Sequence, residues 1–229
     1  MGNTPTSDDG EVRRPKRPRS AKGRARETAV RLAHEYPEAL CELDHSNPYE
    51  LLAATILSAQ CTDARVNMVT PALFVRYPTP DDLSHADQGE LEEIVRSTGF
   101  FASKARNLIG MGSALVDRFD GEVPTELGDL VTIPGVGRKT GNVMRAVVFG
   151  LPGIAVDTHV KRLANRLGLT EHDDPAKIEH DLDRLLPEND RSDFGLRMIL
   201  HGRRVCFARK PECENCALED LCPSSALRP

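Results

Sequence analysis

Cys206, Cys213, Cys216 and Cys222 fall within seventeen residues near the C-terminus, in the pattern C-x6-C-x2-C-x5-C. No other feature narrows the fold as far, because four thiols so close in sequence are drawn to one point. The N-terminus carries no apolar stretch of the secretory kind, so a disulfide framework is not indicated. Close-set thiolates in a reducing compartment read as metal ligands, for Zn²⁺ or for a four-iron cluster. Zinc ribbons usually show two C-x2-C knuckles and this chain has one, which leans slightly towards iron–sulfur. Between the first two cysteines lies FARKPE, whose Arg209 and Lys210 would project from a metal-fixed loop, as solvated charges or as phosphate contacts. Cys41 and Cys61 are left over and read as small buried apolar residues.

The rest of the chain is built from helical signals. Asn47-Pro48-Tyr49-Glu50 offers an N-cap, a proline at the first helical position and a glutamate at the third, and opens the apolar run Leu51 to Ala59. Thr79-Pro80 opens another segment and Gly99 closes the next. Residues 102–119 place Ala105, Leu108, Ile109, Met111, Leu115, Val116 and Phe119 at helical spacing. Asp174-Pro175 starts a helix through Leu186, and Phe194 to Val205 reads as one more. No period-two run is bounded by turn signals on both sides. The expected fold class is all-α, with nine or ten helices. No window approaches the roughly 18–20 apolar residues of a membrane span.

Charge is uneven. Residues 1–26 hold eight basic side chains against Asp8, Asp9 and Glu11, which leaves 22 basic against 32 acidic side chains in the rest. The Pro-, Arg- and Gly-rich N-terminus is expected to be a disordered basic tail. The acids gather at 81–93 and 171–193, so the net charge of −5 does not speak against a polyanionic partner.

Ile133-Pro134-Gly135-Val136-Gly137-Arg138-Lys139 is not a Walker loop, because Thr132 and Arg138 break the spacing, nor a dinucleotide fingerprint, because Thr140 stands where glycine is needed. What remains is a helix, a tight turn and a second helix starting near Gly137. The open N–H groups there can bind a phosphate without reading sequence, although an ordinary helical corner would look the same. Further on, AVDTHVKRLANRLG gives a helix over Val160, Leu163, Ala164 and Leu167, with Asp157 at its N-cap and Gly168 at its end. An out-and-back path could bring Asp157 to Lys139. A lysine attacks carbon as the neutral amine, and a carboxylate beside it can take its proton.

Taken together, LSAQCTD (57–63), IPGVGRKTGNV (133–143), VDTHVKRLANR (156–166) and the cysteine pattern resemble endonuclease III, of the helix-hairpin-helix DNA glycosylase superfamily, over residues 27–224. The resemblance implies a six-helix barrel over 41–151 and a second domain, 27–40 with 152–229, holding a [4Fe–4S] cluster on Cys206, Cys213, Cys216 and Cys222. It implies Lys139 as nucleophile, Asp157 as catalytic carboxylate, Gln60 in the gap left by a flipped base and Phe100 at the tip of a second wedge. Phe101 shares that wedge loop. Gly135, Val136 and Gly137 would hold a phosphate through backbone N–H groups, with Arg138, Arg209 and Lys210 as further strand contacts; His159 and Arg162, one turn into the Asp157 helix, read either as strand contacts or as ordinary helix-surface residues. Family members often carry Tyr and Asn where this chain has Phe101 and Ala102, a basic residue where it has Glu212, and a small residue where it has Cys61.

The implied activity is a bifunctional DNA glycosylase and AP lyase on oxidised pyrimidines in damaged double-stranded DNA, by a monomer in the cytoplasm, at the nucleoid if bacterial. The cluster is expected to be structural, fixing the 207–212 loop. An adenine glycosylase of the same superfamily would lack this lysine. A non-catalytic DNA-binding module would leave the pairing of Lys139 and Asp157 to chance.

Overall fold

The computed structural model describes residues 20–227. Among them stand eleven α-helices, four 3-10 turns and no strand. In chain order the helices are α1 (Ala21–Glu35), α2 (Pro48–Leu57), α3 (Asp63–Arg76), α4 (Pro80–Ser84), α5 (Gln88–Val95), α6 (Phe101–Phe119), α7 (Leu127–Leu130), α8 (Arg138–Val147), α9 (Thr158–Arg166), α10 (Pro175–Leu185) and α11 (Arg191–Arg204). No described helix is long and apolar enough to cross a membrane.

Caps explain most of the starts. Asn47 accepts the Glu50 N–H at 2.9 Å, and Glu50 turns back to the Ser46 N–H at 2.7 Å. Thr79 and Asp82 exchange the two bonds of a capping box. Asp174 accepts the Lys177 N–H at 3.0 Å. Each such cap contributes about 1 kcal/mol. Helix α3 is not among the expected helices, and it carries Pro71 in its interior. Proline there removes one backbone hydrogen bond, a loss offset by burial of Val66, Val69, Thr70 and Leu73 along the same helix. Helix α11 begins at Arg191, three residues before the expected start.

Two hydrophobic cores divide the molecule into two lobes. The first gathers nearly all of α2 with Val66, Leu73, Leu91, Leu108, Met111, Leu115, Leu130, Ile133 and Met144. Because α2 is buried on every side, it reads as a continuous apolar run rather than a stripe. The second core joins Ala25, Leu32 and Tyr36 from the N-terminal side to Ile154, Val160, Leu163, Ile178, Leu182, Phe194, Met198 and Leu221. The chain thus leaves the second lobe after α1 and returns to it after α8.

Residues 21–26, expected in the basic tail, are helical. They open α1, capped by the Ser20 hydroxyl accepting the Gly23 N–H at 3.1 Å. Composition misled here: Ala25 faces the second core, and Arg24 donates to the carbonyls of Leu167 at 2.7 Å and Gly168 at 2.5 Å, beyond the end of α9. The rest of the assigned tail, residues 1–19, lies outside the described residues.

Candidate active site

The turn between α7 and α8 is pinned by Leu130, Ile133 and Val136, all buried in the first core. Gly135 has φ 81°, and a Cβ added there would lie 2.9 Å from the Asn107 Cβ, so the turn needs glycine for conformation and for space. The Val136 N–H is spent inside the turn, on the Ile133 carbonyl at 3.0 Å. This corrects the expectation that Val136 offers its amide to a phosphate. Gly137 is the N-cap of α8 and supplies no side chain; the first helical bond runs from the Gly141 N–H to the Gly137 carbonyl. Among the described residues the amides of Gly135, Gly137, Arg138, Lys139 and Thr140 therefore have no partner. They stand at the positive end of the helix, a ready anion cradle.

Lys139 and Asp157 line one cleft between the lobes, together with Thr55, Ser58, Asp63, Val143, Leu196 and Arg203. Lys139 is exposed, and its ammonium makes no hydrogen bond or ion pair with a described residue. Asp157 caps α9 through a single oxygen, Oδ1, which accepts the N–H groups of His159 and Val160, both at 2.8 Å. Its second oxygen takes no bond among the described residues. Across the same cleft Arg203, from the second lobe, bonds Asp63 at 2.8 Å and also Glu42.

Several expected strand contacts are committed elsewhere. Arg138 forms a two-pronged ion pair with Glu179 of α10, at 2.7 and 2.8 Å, tying the start of α8 to the second lobe. Arg162 donates to the Cys206 carbonyl at 3.0 and 2.8 Å and to the Gly202 carbonyl at 2.8 Å, and its Nη2 lies 3.1 Å from His159 Nδ1. Both were expected on DNA; Glu179, Gly202 and Cys206 lie 40 or more residues from the arginines they bind, out of reach of local pattern. Phe101 is half-buried against the first core with the Arg96 guanidinium 4.7 Å from its ring centre, so it anchors the loop that Phe100 tips. Gln60, Phe100, Arg209 and Lys210 are exposed. Gln60, Phe100 and Lys210 also hold three of the four left-handed non-glycine backbones among the described residues, a strained state that gathers at functional sites.

The four C-terminal cysteines line one cavity with Arg166 and Val205, and none is in a disulfide. Arg166, which sequence reasoning passed over, donates to Cys206 Sγ at 3.1 Å, to the Phe207 carbonyl at 2.8 Å and to the Ala208 carbonyl at 3.0 Å. Burial, then the neighbouring thiols, pushes Cys216 up to about 11. Thiols so placed ionise together only against a compensating cation. Yet among the described residues no three His, Cys, Asp or Glu side chains converge as a single-ion site would require. His201, held neutral by burial that lowers it to about 4, stands 3.3 Å from Cys216 Sγ.

Residues 53–188 match the HhH-GPD superfamily of base excision DNA repair proteins. The chain is 55% identical to endonuclease III of Synechocystis over 207 residues, covering 90% of this chain and 94% of that protein. It is 44% identical to endonuclease III of Bacillus subtilis over 194 residues, 84% and 89% of the two chains. Among solved structures, a trapped endonuclease III–DNA covalent intermediate superposes with a TM-score of 0.85 at 45% identity, covering 89% of this chain and 96% of that one. A non-covalent endonuclease III–DNA complex matches with the same figures. The unpartnered lysine beside a hairpin cradle, the all-α two-lobed fold and these likenesses together make the chain a member of the endonuclease III family, within the HhH-GPD superfamily.

Proposed function

We propose that the protein is a bifunctional DNA glycosylase and AP lyase that removes oxidised pyrimidines from duplex DNA. The observation that carries this reading is the unpartnered Lys139 ammonium at the start of α8, in one cleft with an Asp157 carboxylate that has an oxygen to spare. A 45%-identical endonuclease III forms a covalent intermediate with DNA, which requires a nucleophile of this kind.

The cleft lies beside the anion cradle, so a phosphate held on the Gly135 and Gly137 amides and the first amides of α8 brings a flipped nucleotide towards Lys139. Asp157 takes a proton from the ammonium. The amine then attacks C1′, the bond from C1′ to the base breaks, and the base leaves with a proton. Opening of the sugar ring gives a Schiff base on Lys139. Loss of a C2′ proton and breakage of the 3′ carbon–oxygen bond follow, as β-elimination. Gln60 and Phe100 fill the vacated stack, and Arg209 and Lys210 meet the strand from the cysteine loop.

The two cores support a division into a six-helix barrel over 41–151 and a second domain of 27–40 with 152–229. The residues present fit a [4Fe–4S] cluster: four free thiols line one cavity, with Arg166 donating to one of them. Bound on Cys206, Cys213, Cys216 and Cys222, it would supply a rigid cross-link rather than redox chemistry, and the 207–212 loop would be fixed by it. We place the work of this monomer on DNA in the cytoplasm.

Borohydride trapping tests the reading. Duplex DNA with an abasic site or with thymine glycol should each give a covalent band, lost in Lys139→Ala. Tight DNA binding with no band would instead indicate a binding module.

A further inference from the structure

Lys104, on the first turn of α6, is the only lysine or arginine that is buried among the described residues, at 4% exposure. Its ammonium donates to the Leu57 carbonyl at 2.8 Å and to the Thr98 carbonyl at 2.7 Å. Leu57 is the last residue of α2, and its carbonyl has no helical partner. Thr98 closes the 3-10 turn Arg96–Thr98. Three residues beyond Leu57 stands Gln60 with φ 54°, and two residues beyond Thr98 stands Phe100 with φ 49°. Among the described residues no hydrogen bond joins the 58–62 loop to the 99–100 loop directly, so the Lys104 bonds to the residues just before them are the link.

Neither bond is needed to fill space. A methionine spans the same length without a charge to desolvate, and burial already pulls the Lys104 ammonium below its ordinary value. What the ammonium adds is a link between two carbonyls that otherwise belong to separate segments. Each of those segments runs directly into an exposed side chain on a left-handed backbone, a conformation that residues other than glycine hold only when their surroundings fix it.

We propose that Lys104 is a positioning residue, a buried clamp that holds the Gln60 and Phe100 loops in register so that the two side chains enter the duplex as a pair. This rests on the reading of Gln60 and Phe100 as the groups that fill the vacated stack. Lys104 touches no DNA and acts through the two loops.

The test compares two substrates under single turnover: a duplex carrying thymine glycol, which needs both wedges, and a single-stranded oligonucleotide with an abasic site, which has no stack to fill. In Lys104→Met the ratio of duplex rate to single-strand rate should fall by about tenfold or more. Adding Lys104→Met to a Gln60→Ala, Phe100→Ala protein should cause little further loss. A ratio that does not move, as with an equal fall on both substrates, would overturn the clamp, and so would full additivity. If Gln60→Ala and Phe100→Ala leave the duplex rate intact, the wedge reading fails first, and the clamp falls with it. Should Lys104→Met not fold, Lys104→Gln is scored by the same ratio.

Discussion

Asp157 and Lys139 reach one cleft by different routes: Lys139 from the second position of α8, Asp157 as the cap of α9, with Oδ1 engaged by two backbone N–H groups. Capping thus occupies one oxygen of the carboxylate and leaves the other open for the proposed proton transfer. Asparagine caps a helix about as well as aspartate but cannot take a proton from the lysine. Asp157→Asn should therefore melt within about 0.5 kcal/mol of the parent, while its trapping rate falls by about 10²-fold or more. Asp157→Ala should lose the same activity and about 1–2 kcal/mol of stability as well. Thermal melts beside borohydride trapping separate the two effects; an Asp157→Asn protein with full trapping would remove Asp157 from the chemistry.

The pair formed by Arg138 and Glu179 makes a different prediction about DNA. Glu179 is buried and Arg138 more than half exposed. Removing the arginine strands a buried carboxylate, at a cost of about 1–2 kcal/mol once the solvent screening of Arg138 is allowed for. Arg138→Ala should lower the melting temperature and leave the salt dependence of DNA binding almost intact. Arg209→Ala, at an exposed position, should do the reverse, with a salt slope shallower by about one. Binding isotherms across salt concentration check both. A slope lost in Arg138→Ala would restore it as a phosphate contact.

These two cases mark how far the sequence could be read. Asn47, Thr79, Asp157 and Asp174 were legible as caps because a cap bonds within three residues of itself. The turn at Gly135 and the gathering of the four cysteines on one cavity were legible for the same reason of locality. The arginines were not: Arg138, Arg162 and Arg166 carry the same residue type whether they meet phosphate or a carboxylate or carbonyl about 40 positions away, and only the fold decides. Lys104 was hidden likewise, since nothing near it in sequence marks a buried ammonium. Helix α3 was not among the expected helices, and its Pro71 is a local signal that burial overrides.

Tyr49 gives a pH dependence remote from the cleft. Its hydroxyl is buried and donates to the Tyr77 carbonyl at 2.9 Å. Burial, with the nearby Asp82 and Glu50 carboxylates, raises its pKa well above 10. The unfolded chain ionises at the ordinary value while the folded one does not, so this contribution is complete below pH 10 and is lost as pH rises beyond it. Tyr49→Phe should cost about 1 kcal/mol at neutral pH through the lost bond, yet show a shallower fall in stability above pH 10. Urea melts from pH 8 to 11 give the comparison; parallel curves would mean that Tyr49 ionises as freely folded as unfolded.

Gly135 and Gly137 lie two residues apart in the hairpin and should respond differently to a methyl group. Gly135 sits at φ 81° with the Asn107 side chain 2.9 Å from an added Cβ. Alanine there meets left-handed strain of about 1–2 kcal/mol and a clash of about 1–2 kcal/mol. Gly137 has φ −95°, an extended backbone open to any residue, and nothing lies within 4 Å of its added Cβ. Alanine at that cap should cost about 1 kcal/mol or less. Both substitutions should weaken DNA binding, Gly135→Ala by deforming the cradle and Gly137→Ala by crowding the phosphate. Calorimetric melts and binding to an abasic duplex resolve the pattern: a large stability loss at 135, a small one at 137, and reduced affinity at both. Equal stability losses would show that the turn does not depend on the left-handed glycine, and undiminished affinity at both would show that the phosphate is held elsewhere.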